Sequence, residues 1–427
     1  MHCIFYGIPS EQNVRRNIDK WLNTVFGEVE PKVDALESNK MSGGVTFVEK
    51  DENLKHFQYK LLGKYDVISL KDALNRYPDA EVYVTYRKAG NTAKYLLGFL
   101  PPEKIHFLEA DLEYRKGCGY LGRFISYRKD SFSPCCVTGK CPVIKTQGTI
   151  SERLAQWQTY TEKLVDDIRN ERPNACQKCH LLKFGIWRKS VKLNEINLGS
   201  NQPGDICNFR CTYCFCENTF KRLKDATDGL TTYEVLQQLS KMPEYDNDEF
   251  IVQLANGEFC ANKHCDEMLD ILLKTNWKIE LISNMSLYKE KLATLMSTGR
   301  VVLVLTSLDA GTRETFQKIK QNDRFDTVVA NLKKYPVNKT KLLMKYIFLE
   351  GINDNAVDIN GYYEVVKAVG GIISLSSNLS TPYTEKMKAL TLSIIRKAKE
   401  DGVQVNTGSS YLAPQDAKFI REAYEAR

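Results

Sequence analysis

The sequence predicts an α/β protein whose main body is a partial β/α barrel of six units. A small Rossmann-like α/β domain precedes it, followed by a cysteine-rich hairpin–helix segment. Three observations predict this. A strand-then-helix alternation repeats from residue 191 to residue 427. A shorter alternation of the same kind fills residues 1–115. Between them, over 116–190, cysteines gather at short spacings. Strands alternating with helical patterns imply parallel sheets flanked by helices.

In the first domain Cys3–Tyr6 reads as an apolar strand, followed by a helix over Glu11–Phe26. Val45–Val48 is a second strand ending in Glu49, and Val67–Ile68 leads into a helix from Leu70 to about Tyr77. Glu81–Tyr86 is another strand, Asn91 caps a helix through Phe99, and Lys104–Leu108 closes the series. Gly7 stands alone after the first strand, without the G-x-G-x-x-G of a dinucleotide site, so a Rossmann-like domain with no bound nucleotide is expected.

From Gly117 the texture changes. Cys118 precedes a hairpin, Phe124–Tyr127 and Ser131–Pro134 around the turn Arg128-Lys129-Asp130, which leads into Cys135-Cys136 and Cys141. Ser151–Glu171 has helical periodicity behind a capping serine, and Cys176-Gln177-Lys178-Cys179-His180 follows. Cys118, Cys136, Cys176 and Cys179 can close a four-thiolate site around zinc or an iron–sulfur cluster, with Cys135 or Cys141 as substitutes for Cys136. Isolated buried thiols are the alternative.

The barrel strands are read as Leu193–Leu198, Glu249–Leu254, Lys278–Ser283, Val301–Leu305, Leu342–Leu349 and Ile372–Leu375. Helices between them include Tyr233–Met242, Asp266–Lys274, Tyr288–Met296, Arg324–Tyr335 and Val357–Val369. Apolar runs such as Val301-Val302-Leu303-Val304-Leu305 suit a parallel sheet covered on its faces. Just past the first strand stands Cys207-Asn208-Phe209-Arg210-Cys211-Thr212-Tyr213-Cys214, at the strand end where barrel chemistry collects. Three thiolates at this spacing hold three irons of a 4Fe–4S cluster and leave the fourth iron open. A structural metal site would close with a fourth protein ligand.

The 13 cysteines are too few for a disulfide scaffold, and their C-x2-C and C-x3-C spacings point to metal in a reducing cytoplasm. The N-terminal stretch lacks a basic region followed by an apolar one, and no apolar run reaches membrane-span length, so neither a signal peptide nor a membrane partner is expected. The net charge of +7 is spread along the chain with no polybasic block, which argues against nucleic acid as the partner.

With those residues in view, the 191–427 stretch resembles the radical S-adenosylmethionine (SAM) superfamily. Cys207, Cys211, Tyr213 and Cys214 match the cluster motif, with an aromatic residue before the third cysteine. Asn256-Gly257-Glu258-Phe259 resembles the second-strand G-G-E-P motif in degenerate form, and Ile282-Ser283-Asn284-Met285 the end of the third strand. Thr306–Thr312 and Lys345–Asp354 resemble the fourth and fifth. The Cys118–Cys179 segment is similar to the SPASM and twitch extensions that carry auxiliary clusters, although those usually follow the barrel and this segment precedes it.

The resemblance implies that SAM binds the open iron and is reductively cleaved to a 5′-deoxyadenosyl radical, which abstracts hydrogen from a peptide or carbohydrate-derived substrate. Oxidation, epimerisation and cross-linking are the candidate outcomes. It implies a low-potential electron donor such as flavodoxin or ferredoxin, and a second 4Fe–4S cluster. Asn256, Gly257 and Glu258 would hold the methionine amine, and Tyr213 would lie along the adenine. Asn284, Ser307, Asp309 and Lys345 would contact ribose and carboxylate. Ser307 and Asp309 have an alternative role as helix caps, and Lys345 as a solvated surface residue. Cys260 and Cys265 are candidate hydrogen-atom donors or packed apolar residues, while His180 and His264 are read as structural or exposed. Two other classes compete: a zinc-knuckle nucleic-acid module, and a non-catalytic iron–sulfur carrier or scaffold.

Overall fold

The computed structural model describes residues 3–6, 45–48, 60–61, 65–68, 70–84, 96, 98, 100–107, 111–135, 142–179, 181–199, 202–214, 216, 221, 226, 229–255, 257–336, 340–378, 381–408 and 412–425. The expectations for Gly7, the Glu11–Phe26 helix, Glu49, the Asn91 cap, Cys136, Cys141, His180 and Asn256 lie outside the described residues. Contacts divide the chain into two compact units, Met1–Gly122 with Thr161–Val191, and Arg123–Tyr160 with Lys192–Arg427.

The first unit contains β1 (Cys3–Tyr6), β2 (Val45–Val48), β3 (Lys60–Leu61), β4 (Tyr65–Ile68), β5 (Glu81–Val84) and β6 (Ile105–Phe107). They form one sheet in the order β3-β4-β2-β1-β5-β6, parallel except at β3. The order reverses direction between β1 and β5, as in the Rossmann-like arrangement the alternation predicts. Ile4, Val82 and Val84 are buried with Leu70 and Ala73 of the Leu70–Arg76 helix, so period-2 and period-3.6 patterns meet in one core. The same unit contains an antiparallel ribbon of β7 (Leu112–Gly117) and a later strand, Lys183–Arg188.

The second unit is built on a nine-stranded sheet. Its hairpin is β8 (Phe124–Arg128) and β9 (Ser131–Ser133), with β10 (Ile144–Lys145) paired to β9. Counting the ribbon's second strand as β11, the sheet continues as β12 (Glu195–Gly199), β13 (Ile251–Ala255), β14 (Lys278–Ile282), β15 (Val301–Ser307), β16 (Lys341–Phe348) and β17 (Ile372–Ser377). These six pair in chain order, each parallel to the next. β12 and β17 do not pair, so the series is an open wall, and β8 lies parallel along the free side of β12. Each strand from β12 onward is followed by at least one helix, and all six expected strands are present.

Helix faces follow the sequence pattern. Cys265, Met268, Leu269 and Leu272 repeat at helical spacing and are the buried side of the Cys265–Lys274 helix. Full burial of each such side chain stabilises by about 1.5–3 kcal/mol. Thr231 and Glu234 form a reciprocal capping box on the Thr232–Leu239 helix. The helix expected behind Ser151 begins one residue earlier, at Ile150, because Thr149 is the cap: its Oγ accepts from the Glu152 N–H at 3.3 Å while Glu152 accepts from the Thr149 N–H at 2.7 Å.

Strands β12 to β14 bury only alternate residues. The other face carries Glu195, Asn197, Gln253 and Glu280. Gln253 Nε2 donates to Glu195 at 2.6 Å and Glu280 at 2.8 Å, and Asn197 Nδ2 donates to Gln253 Oε1 at 2.6 Å.

Candidate active site

The loop Ile206–Cys214 follows β12 and is held from two sides. On one side lies the end of β13. The Glu258 N–H donates to the Ile206 carbonyl at 2.9 Å. Glu258 itself is fully buried, and its carboxylate is turned into the fold. It accepts from Ser283 Oγ at 2.8 Å, the Asn284 N–H at 2.6 Å and the Cys260 N–H at 3.2 Å. Burial pushes its pKa up, and the bonds from Asn284, Ser283 and Cys260 pull it back. Every neighbour that bonds it is a donor, which suits a carboxylate.

That anchored turn reaches the cysteine loop directly. Asn284 Nδ2 donates to Asn208 Oδ1 at 2.8 Å, Asn208 Nδ2 donates to Ser286 Oγ at 2.8 Å, and the Ser286 N–H donates to Asn284 Oδ1 at 2.9 Å. Met285 completes the turn in the left-handed region, at φ 57°. Glu258 therefore fixes Asn284, and Asn284 fixes the residue beside Cys207.

On the other side lies the C-terminus of the Arg313–Lys320 helix. The Thr212 N–H donates to the Ile319 carbonyl at 2.9 Å and the Arg210 N–H to the Lys320 carbonyl at 3.2 Å. Tyr213 Oη donates to Asp309 Oδ2 at 2.5 Å, and Lys320 Nζ donates to Tyr213 Oη at 2.7 Å and Asp309 Oδ2 at 2.5 Å. Asp309 is 0% exposed and holds φ 59°, a left-handed conformation uncommon outside glycine. Its Oδ1 accepts from the Ile347 N–H at 2.7 Å. It does not cap the following helix; that cap is Thr312, whose Oγ accepts from the Thr315 N–H. Lys345, inside β16, is buried rather than solvated, and burial lowers its pKa. Ser307 ends β15 and is half-buried.

The thiols of Cys207, Cys211 and Cys214 are each half-buried. Burial pushes Cys207 up to about 11, and the charges of Cys211, Glu258 and Cys214 add to the rise; burial likewise raises Cys211. Iron ligation would require the thiols of Cys207 and Cys211 to lose their protons against that rise. Among the described residues no group of three or more His, Cys, Asp or Glu side chains converges at metal-binding separation. The fit of a cluster rests on the donor chemistry: three sulfurs on one clamped loop, the set that leaves a fourth iron open. Beside them is a cavity of about 440 Å³, whose lining includes Thr212, Tyr213, Phe348, Leu349, Ser377 and Asn378. It has the room and mixed polarity that a small cofactor needs.

Cys260 and Cys265 are both buried. The interaction between the two thiols raises that of Cys260 and lowers that of Cys265. His264 stacks on Tyr233 with ring centroids 4.8 Å apart. In the first unit Gly117 pairs with Lys183 across the ribbon, so Cys118 and the Cys176–Cys179 turn belong to the same ribbon end. The Cys179 N–H donates to the Cys176 carbonyl at 2.9 Å. Cys135 falls in the other unit.

A family model described as the radical SAM superfamily matches residues 201–359, the stretch that holds both clamps. The match covers 159 of the chain's 427 residues. The chain is 25% identical over 209 residues to a GTPase Obg of Brachyspira hyodysenteriae, covering 46% of this chain and 30% of that protein. It is 26% identical over 170 residues to a GTP 3′,8-cyclase of Aliarcobacter butzleri, covering 39% of this chain and 50% of that one. The chain thus spans half or less of the curated relatives it matches. Among solved structures, SuiB of Streptococcus suis bound to S-adenosylmethionine aligns with a TM-score of 0.37 at 13% identity, covering 50% of this chain and 49% of that one. No helix among the described residues is long and apolar enough to cross a membrane.

Of the residues expected here, Glu258 and Asn284 flank the cysteine loop on one side and Asp309 on the other, where it meets Tyr213 of the loop itself. Sequence reasoning missed Lys320, Asn208 and Ser283. A lysine in the last turn of a helix reads as an exposed complement to the helix dipole, so Lys320 had no one-dimensional signal. Asn208 had one: it is the polar residue directly after the first cysteine of the motif.

Proposed function

We propose that the chain is a radical SAM enzyme that uses Cys207, Cys211 and Cys214 to hold a 4Fe–4S cluster. When bound, the cluster and SAM supply one-electron cleavage of the sulfonium, and hence hydrogen abstraction from a substrate. The observation that carries the proposal is the double clamp on Ile206–Cys214, with Glu258 and Asn284 on one side and Ile319, Lys320 and Asp309 on the other. A loop so fixed presents its thiols in one arrangement, as pre-organised ligation requires.

In this reading Tyr213 and Thr212 form one wall of the cofactor cavity, with Ser377 and Asn378 offering polar contacts across it. Lys345, Ser307, Gly257 and Asn256 are also assigned to the site. Cys260 and Cys265 are buried, and a donor role for them requires access the described residues do not give. The substrate class proposed is a peptide or a carbohydrate-derived molecule, with a flavodoxin- or ferredoxin-type donor. A second cluster with Cys118, Cys176 and Cys179 among its ligands is part of the proposal.

The test is anaerobic reconstitution with iron and sulfide. About four irons per chain indicate one cluster and about eight indicate two. Replacing Cys207, Cys211 and Cys214 together with alanine should remove one cluster's worth of iron and all SAM cleavage. Unchanged iron content or unchanged cleavage in that variant would refute the assignment.

A further inference from the structure

Lys320 is 2% exposed, an unusual place for an ammonium. A buried charge needs both a counter-charge and hydrogen-bond partners. Asp309 at 2.5 Å supplies the first, and Tyr213 Oη at 2.7 Å adds a partner. Asp309 is itself over-determined: the Ile347 N–H donates to its carboxylate at 2.7 Å and Asn353 Nδ2 donates to its carbonyl at 2.8 Å. That scaffold holds a left-handed backbone which would otherwise relax.

The cysteine loop is wrapped around this lysine. Arg210 bonds to its carbonyl, Thr212 to the carbonyl one residue earlier, and Tyr213 to its ammonium. Cys211 lies between the first two of these contacts. The middle thiol of the motif is therefore bracketed by residues fastened to Lys320 and its neighbour, beside a pair of opposite charges sequestered from water.

Charges so placed act on anything bound at Cys211 with little screening. One-electron reduction makes an iron–sulfur cluster more negative, so a fixed cation nearby favours the reduced form and a fixed anion disfavours it. We propose that Lys320, held by Asp309, is a positioning residue that sets the reduction potential of the cluster at Cys207, Cys211 and Cys214. The inference rests on the proposed cluster assignment and deepens it.

The experiment is a redox titration of the reconstituted protein, following the electron paramagnetic resonance signal that changes when SAM is added, which marks this cluster. Lys320→Met should shift its potential to more negative values and Asp309→Asn to more positive ones. Lys320→Arg, which keeps the charge, should stay near the parent. The Lys320→Met/Asp309→Asn double variant leaves no buried charge unpaired. Set against Asp309→Asn alone, it isolates the ammonium even if Lys320→Met does not fold, and its potential should be the lower of the two. Shifts of the same sign in both single variants, or no difference between Asp309→Asn and the double variant, would overturn the role of Lys320 while leaving the cluster assignment intact. A parent protein with no SAM-responsive signal would overturn both.

Discussion

Glu258→Ala is the substitution whose consequence follows most directly from the geometry. The carboxylate is fully buried and accepts from three groups, Ser283 Oγ, the Asn284 N–H and the Cys260 N–H. Alanine leaves all three without an acceptor in a place water does not reach. Each buried unsatisfied donor costs about 1–3 kcal/mol, so the loss is about 3 kcal/mol at the low end before any cavity is counted. Against a typical domain stability of about 5–15 kcal/mol this is a large fraction.

The damage should also travel, because the same carboxylate fixes Asn284, and Asn284 bonds Asn208 beside the first cysteine. Denaturant unfolding of the apo-protein reads the first effect, and iron bound on reconstitution reads the second. Glu258→Gln, which keeps one acceptor oxygen, should fall between parent and alanine on both scales. If Glu258→Ala unfolds within about 0.5 kcal/mol of the parent, the ordinary range for a surface substitution, and still loads full iron, the reasoning is refuted.

Other expectations can be checked with the same preparations. Burial raises the carboxyl of Glu280, and burial followed by the charge of Glu280 raises that of Glu195. Carboxyls raised in the folded state stabilise it fully below their unfolded pKa, and that contribution is lost as pH rises through the folded value. Glu280→Gln, which mimics the protonated form, should therefore raise Tm at pH 7 and change it little at pH 4; an equal gain at both would contradict this. Gly311→Ala should destabilise by about 1–3 kcal/mol or more, because its new Cβ would lie 2.0 Å from the Asp358 carbonyl and 2.5 Å from the Tyr362 nitrogen; an unchanged denaturation midpoint would show that the strand-end turn can move away. Iron loading should raise Tm, and a chelator should reverse the gain, since a group bound only by the folded state stabilises it; a Tm indifferent to iron would count against a preformed loop.

Much of this architecture was legible in the chain because local patterns encode it. Val301–Leu305, read as a strand from its apolar run, lies within Val301–Ser307, and Cys3–Tyr6 is a strand at the residues expected. The hairpin Phe124–Ser133 was legible as a hairpin. Its alignment with β12 was not, since a parallel pairing so distant in sequence leaves no trace in the period of either strand. Site residues divide along the same line. Asp309 and Asn284 were accessible because strand-end polar residues are few and placed. Glu258 was legible from its motif but the burial of its carboxylate was not, and Lys320 was not legible at all, because charged residues are read by default as solvated. Only tertiary packing turns them inward.

A cluster on Cys207, Cys211 and Cys214, as proposed, would cleave SAM. The most direct measurement is 5′-deoxyadenosine formed when the anaerobically reconstituted protein is mixed with SAM and dithionite. 5′-Deoxyadenosine and methionine should form in equal amounts from the parent and not at all from the triple-cysteine variant. Bound iron with no 5′-deoxyadenosine from the parent, or equal yields from the two proteins, would contradict that assignment.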